Sequence, residues 1–115
     1  MPIAPISAQF ADHYQWGMAC DGWHLLKGSG LSVIEERMPP GATEIRHWHA
    51  RSVQFFYCLA GTLTMEVEGS VHQLLAGTGL EIPSGNAHQA RNDSDADVRF
   101  LVISQPPHHG DRTAA

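Results

Sequence analysis

The sequence predicts an all-β, antiparallel sandwich or barrel built as one domain. Six short runs rich in Val, Ile, Leu and Phe carry that reading: Leu31 to Met38, Gln54 to Leu59, Thr62 to Val67, Val71 to Leu75, Leu80 to Ile82 and Val98 to Ile103. Clusters of turn formers separate them, namely Pro39-Pro40-Gly41, Ala60-Gly61, Glu68-Gly69-Ser70, Gly77-Thr78-Gly79, Pro83-Ser84-Gly85-Asn86 and Asn92-Asp93-Ser94-Asp95. No window carries the spacing of a long amphipathic helix, and strands with tight turns recurring about every ten residues suit antiparallel architectures. Residues 1–13 lack periodicity and read as an N-terminal arm. Residues 14–105 form the strand-rich domain, and residues 106–115, with two prolines, a glycine and no core residue, read as a surface tail.

Bulk properties narrow the partners. A chain of 115 residues that is 43% hydrophobic can bury one real core and no second. Charged residues make up 17%, and the net charge is −5 with a single lysine, Lys27, so no basic face is offered to nucleic acid or anionic lipid. No apolar run approaches a membrane span, and the first ten residues lack the basic head and apolar stretch of an export signal. The expectation is a cytoplasmic protein with neither nucleic-acid nor membrane partners. Cys20 and Cys58 are too few for a disulfide framework and read as reduced structural thiols. Asn92-Asp93-Ser94 fits a glycosylation sequon, which means little without export.

Eight histidines are more than such a core needs. His108 and His109 fall in the tail, and His13, His24 and His72 are isolated. The other three are spaced for chemistry. Between Ile45 and Leu59 the chain reads as extended with a turn near Ala50 to Val53, and alternation along a strand puts His47 and His49 on one face with Trp48 on the other. After the turn Gln54, Phe56 and Cys58 share a face, while Phe55, Tyr57 and Leu59 share its opposite. His88 opens the strand that follows the Pro83-Ser84-Gly85-Asn86 turn. If these faces line one interior, three imidazoles and an amide oxygen meet at a point, a donor set for Zn, Fe, Ni, Mn or Co. Taken alone, a His-x-His pair is equally two partly exposed polar side chains, and Gln54 can also turn away and leave three histidines and water to hold the ion.

The residues resemble the cupin family. Gly41, five residues, His47-Trp48-His49, four residues, Gln54, six residues and Gly61 are similar to the first cupin motif, with glutamine where glutamate is usual. Gly77, five residues, Pro83-Ser84-Gly85, two residues, His88, three residues and Asn92 are similar to the second. The stretch between them, Thr62 to Ala76, is as short as in small bacterial cupins of the RmlC-like superfamily. The resemblance covers residues 41–92, and about 20–104 with flanking strands. It implies a double-stranded β-helix, or jelly-roll barrel, with one divalent metal held by His47, His49, Gln54 and His88. Gly61, Gly77 and Gly85 then suit turns with positive φ, and Pro83 stiffens the turn that aims His88.

Glutamine in place of a carboxylate leaves the ion its full double charge, which favours a carboxylate or enediolate ligand. The expected function is that of a small metal-dependent enzyme, a lyase, isomerase or dioxygenase, acting on a carboxylate- or enol-bearing molecule. The alternative is a non-catalytic binding or sensory cupin, because a fold does not fix a function. No general base is named. Phe56, Cys58, Met65 and Phe100 are candidate pocket walls or plain core, and Glu35, Arg37 and Arg99 are candidate substrate clamps if their faces point inward. Trp16, Trp23 and Trp48 read as packing or interface residues. Trp48, Phe55, Tyr57 and Leu59 would form an outer apolar surface covered by a second subunit, hence a homodimer.

Overall fold

The computed structural model describes residues 3–108 and 110–115; Met1 and Pro2 of the expected arm and His109 of the expected tail lie outside the described residues. The chain runs β1 Asp12–Trp16, β2 Cys20–Lys27, β3 Ser32–Met38, β4 His47–His49, β5 Val53–Ala60, β6 Thr62–Val67, β7 Ser70–Leu75, β8 Gly79–Ile82, β9 His88–Arg91, β10 Val98–Gln105 and β11 Arg112–Ala114. They form two antiparallel sheets, one ordered β1-β2-β3-β10-β5-β8 and the other β11-β4-β9-β6-β7. The architecture is the jelly roll, but the expected closed barrel needs correction. No ladder among the described strands joins the two sheets, so the fold is an open two-sheet sandwich with its core between the layers.

All six apolar runs are strands, within two residues at each end. The ends of the chain differ from expectation. The arm and tail boundaries cut through pairing, because β1 starts at Asp12 and β11 pairs with β4, Arg112 opposite His49 and Ala114 opposite His47. β1 offers only Tyr14 and Trp16 on its inner face, and β11, Arg-Thr-Ala, carries no hydrophobic pattern. Its partner β4 would otherwise present an unpaired backbone edge, and pairing satisfies those N–H and C=O groups whatever the side chains are.

On the inner face of the larger sheet, residues line up in rows. Gln54 lies opposite Ser104 and Ser104 opposite Ser32; the next row is Phe56, Val102, Ile34 and His24; the next is Cys58, Phe100, Glu36, Gly22 and Tyr14. Cys58, Met65 and Phe100 are wholly buried in the core. The outer face of the same sheet takes the alternate residues. There Arg99 reaches Glu35 at 2.6 Å and lies over Trp23, while Arg37 binds Asp21 at 2.7 Å and Asp97 at 3.1 Å. Glu35, Arg37 and Arg99 are therefore surface ion pairs and not substrate clamps, since strand parity turns Glu36 inward in their place.

Two glycines set turns that the site depends on. Gly61 has φ 79°, and a Cβ there would come within 2.5 Å of the Asp97 carbonyl oxygen. Gly85 has φ 83° in the turn before β9, and its N–H binds the His49 carbonyl at 2.7 Å. Asn92, the sequon residue, is fully buried with its amide nitrogen donating to Met38 and Ala96 carbonyls, which closes it to glycosylation. Cys20 and Cys58 are buried and unpaired. Among the described residues no helix is long and apolar enough to cross a membrane.

Candidate metal centre and its cavity

The chain crosses from one sheet to the other between His49 and Gln54. His47 and His49 thus come from the smaller sheet and Gln54 from the larger, facing across the interior, and the shared-strand picture of the motif becomes a convergence of two layers. His88 stands beside His47 as its cross-strand partner on β9. One ligating atom from each of His47, His49 and His88 lies within 4.8 Å of the others, and all three rings are buried.

Local carbonyls fix two of the rings. The Nδ1–H of His47 donates to the Ile45 carbonyl at 2.7 Å, and that of His88 to the Asn86 carbonyl at 2.9 Å, each two residues back. Both rings then turn Nε2, carrying a lone pair, toward the shared centre of the cluster, the orientation that metal-binding histidines take from such partners. Burial pushes the His47 pKa down to about 3 and lowers those of His49 and His88 as well, so at neutral pH the rings are unprotonated.

The donor set fits a cation on two counts. His49 is 2% exposed, and neither of its ring nitrogens makes a hydrogen bond of good geometry, although the Asp111 backbone lies near enough to act on the ring. A buried nitrogen in that state costs free energy that a bound ion would recover. Gln54 donates from Nε2 to Ser104 Oγ at 3.0 Å, which leaves Oε1 facing His88 Nε2 at 3.1 Å. With the His88 proton already on Nδ1, two lone pairs confront each other, an arrangement that a cation between them relieves.

The turn that joins the two sheets is held from far along the chain. The Asp111 carboxylate accepts N–H bonds from Ala50 at 3.1 Å, Arg51 at 3.0 Å and Ser52 at 2.8 Å, and Ser52 Oγ donates to the Pro106 carbonyl at 2.7 Å. These backbone donors hold the Asp111 pKa below the usual carboxylate value. The segment expected to be only surface thus grips the three residues between the two ligand-bearing strands.

A cavity of about 260 Å³ opens beside the histidines. Phe56 lines it as the sequence suggested, and Trp16 joins its wall. Sequence reasoning missed Tyr14, Glu36, Glu44 and Arg112, and placed His24 and His108 away from the site; all six line this cavity. Glu36 accepts a hydrogen bond from Tyr14 Oη at 3.0 Å, and Glu44 Oε1 accepts the Ala90 N–H at 2.8 Å. Desolvation raises their pKa values, Glu36 to about 7 and Glu44 to about 8, the latter helped by the negative charge of Glu36. Alternation along Ser32 to Met38 held the signal for Glu36, since Ile34 and Met38 mark the inner face.

Fold and cavity together define a jelly roll with a buried cluster of neutral imidazoles open to a small-molecule chamber. The chain belongs to the cupin domain family, whose model matches residues 34–104. It is 34% identical over 77 residues to protein SchB of Streptomyces halstedii, covering 67% of this chain and 53% of that one. It is 31% identical over 95 residues to an L-ectoine synthase of Alkalilimnicola ehrlichii, covering 76% and 70%, and 36% identical over 62 residues to a quercetin 2,3-dioxygenase of Bacillus subtilis, covering 54% and 18%. The chain spans about half the length of SchB. Among solved structures, KdgF from a Halomonas species superposes with a TM-score of 0.84 at 18% identity, over 94% of this chain and 97% of that one.

Proposed function

We propose that this protein is a metal-dependent cupin enzyme acting on a small oxygenated molecule. The observation that carries the reading is the set of three buried, neutral imidazoles beside a partly open chamber. Gln54 Oε1 supplies the fourth donor. A divalent ion so held would act as a Lewis acid toward a carboxylate or enol oxygen, uncancelled by any carboxylate ligand. Arg112, whose guanidinium donates to the same Ile45 carbonyl that orients His47, adds positive charge on that side of the chamber. Two relatives carry the names of enzymes, one a synthase and one a dioxygenase, which supports turnover over simple storage of a ligand. Zn, Fe, Ni, Mn and Co all suit imidazole donors.

Plasma mass spectrometry on untagged protein is expected to return near-equimolar transition metal. His88→Ala should lose it with the fold kept, and a metal-free wild type would end the proposal. Gln54→Glu distinguishes a ligand from a hydrogen-bond donor. A carboxylate ligand holds metal at least as tightly, whereas an amide whose task is to donate to Ser104 Oγ has no substitute in glutamate.

The dimer expectation keeps one part of its basis. Trp48 belongs to the smaller sheet, so it does not join Phe55, Tyr57 and Leu59, which stand on the outer face of the larger one. Phe55 and Leu59 are 38% and 41% exposed there, and Leu101 and Ile103 of β10 flank them. We propose that a second copy covers this face; sedimentation at micromolar concentration should show a dimer, and Leu59→Glu a monomer. Wild-type protein that sediments only as monomer would remove the idea. The cytoplasm is the proposed place of action, on the two buried reduced thiols.

A further inference from the structure

The wall formed by Tyr14, Glu36 and Glu44 belongs to the same chamber as the histidines, yet none of these side chains is a candidate metal ligand. They stand at its other end, where Glu36 lies two same-face rows from the Gln54 and Ser104 row. Donors and acceptors are unequal there. Tyr14 has one hydroxyl proton, and it goes to Glu36. Glu44 takes one backbone N–H, from Ala90. When both are ionised, the two carboxyl groups carry about eight lone-pair positions between them, against these two protein donors.

Placing the tyrosine there is costly to the sequence. Tyr14 lies across Gly22, and a Cβ at position 22 would fall 2.1 Å from its Cζ, so the strand between Tyr14 and Glu36 has to be bare for the hydroxyl to arrive. The same chamber is lined at its other end by His47, His49 and Gln54, so a ligand that reaches the candidate metal site also meets this wall.

We propose that Tyr14, Glu36 and Glu44 form an acceptor subsite that selects hydroxyl-bearing ligands, so that the substrate carries its anionic oxygens toward the histidines and Arg112 and its O–H groups toward the two glutamates. The inference deepens the enzyme reading and rests on the chamber being its substrate site. Hydroxy acids and their enol forms meet both ends, whereas carboxylates without hydroxyls leave the glutamates without donors. With both pKa values raised, to about 7 for Glu36 and about 8 for Glu44, the two groups act fully as acceptors only above pH 8, where the selection is expected to be strongest.

Calorimetric titration with glycerate and propionate, which share a carboxylate and differ in two hydroxyls, tests the subsite on metal-free and zinc-treated full-length protein. Wild type should bind glycerate at least tenfold more tightly than propionate. Glu36→Leu should bring that ratio below threefold, and Tyr14→Phe should lower it while leaving a well-folded protein even if Glu36→Leu does not. Equal affinities, no binding of either probe, or a ratio that survives both variants would overturn the proposal. Metal content of the same samples is a separate readout. Protein that takes up no zinc ends the metal reading, while the glycerate ratio on metal-free protein still decides the subsite.

Discussion

The two ends of the chamber are built in opposite ways. At the histidine end, orientation is local: His47 and His88 each bind a carbonyl two residues back, and the short turn from His49 to Gln54 brings donors from both sheets together. At the glutamate end it is remote, because Tyr14 and Glu36 are 22 residues apart and meet only through the pairing of β1, β2 and β3 across Gly22. Local geometry survives many changes elsewhere in the chain. Remote geometry depends on register, and a single side chain in the path can end it.

That contrast has a weak point at each end. The histidine end has a remote support in Asp111, and its loss should have the larger effect. Asp111→Ala removes the acceptor for three backbone N–H groups, and zinc affinity by competition titration is expected to fall roughly ten- to a hundredfold, as when outer supports of metal ligands are lost. Asp111→Asn, which keeps one oxygen, should recover part of it. Unchanged affinity in both variants would mean that pairing of β11 with β4 holds the turn unaided.

Gly22→Ala addresses the other end with a smaller effect. The new methyl displaces the Tyr14 ring from Glu36, and the loss of a hydrogen bond to a buried carboxyl should lower unfolding free energy by about 1 to 2 kcal/mol in denaturant melts. Zinc affinity should stay at the wild-type value. A fall in both quantities together would show that the two ends are one cooperative unit and would blur the distinction drawn between them.

The same contrast explains what could be read in advance. The runs from Leu31 onward announced themselves because each strand there buries one face of apolar residues, and Ile34, Met38, Phe56 and Phe100 follow that alternation into the core. His47, His49, Gln54 and His88 were legible because motif spacing is a local property, with glycine turns on either side. Asp12 to Trp16 and Arg112 to Ala114 gave no such signal. Their strands are short, with Tyr14 and Trp16 the only large inward side chains between them, and pairing satisfies the edge of a neighbouring strand.

From sequence alone came the all-β class, the reduced cysteines, the order of the turns and four residues that meet at one place. Alternation and turn chemistry act over a few residues, which is why a linear text can carry them. Only the tertiary structure decided that the layers stay open, that Glu35, Arg37 and Arg99 pair on the outside, and that Tyr14, Glu36, Glu44 and Arg112 face the histidines. Those outcomes depend on which strand lies beside which and in what register. Such choices are fixed by the burial of the whole core at once, so no single segment of the sequence records them.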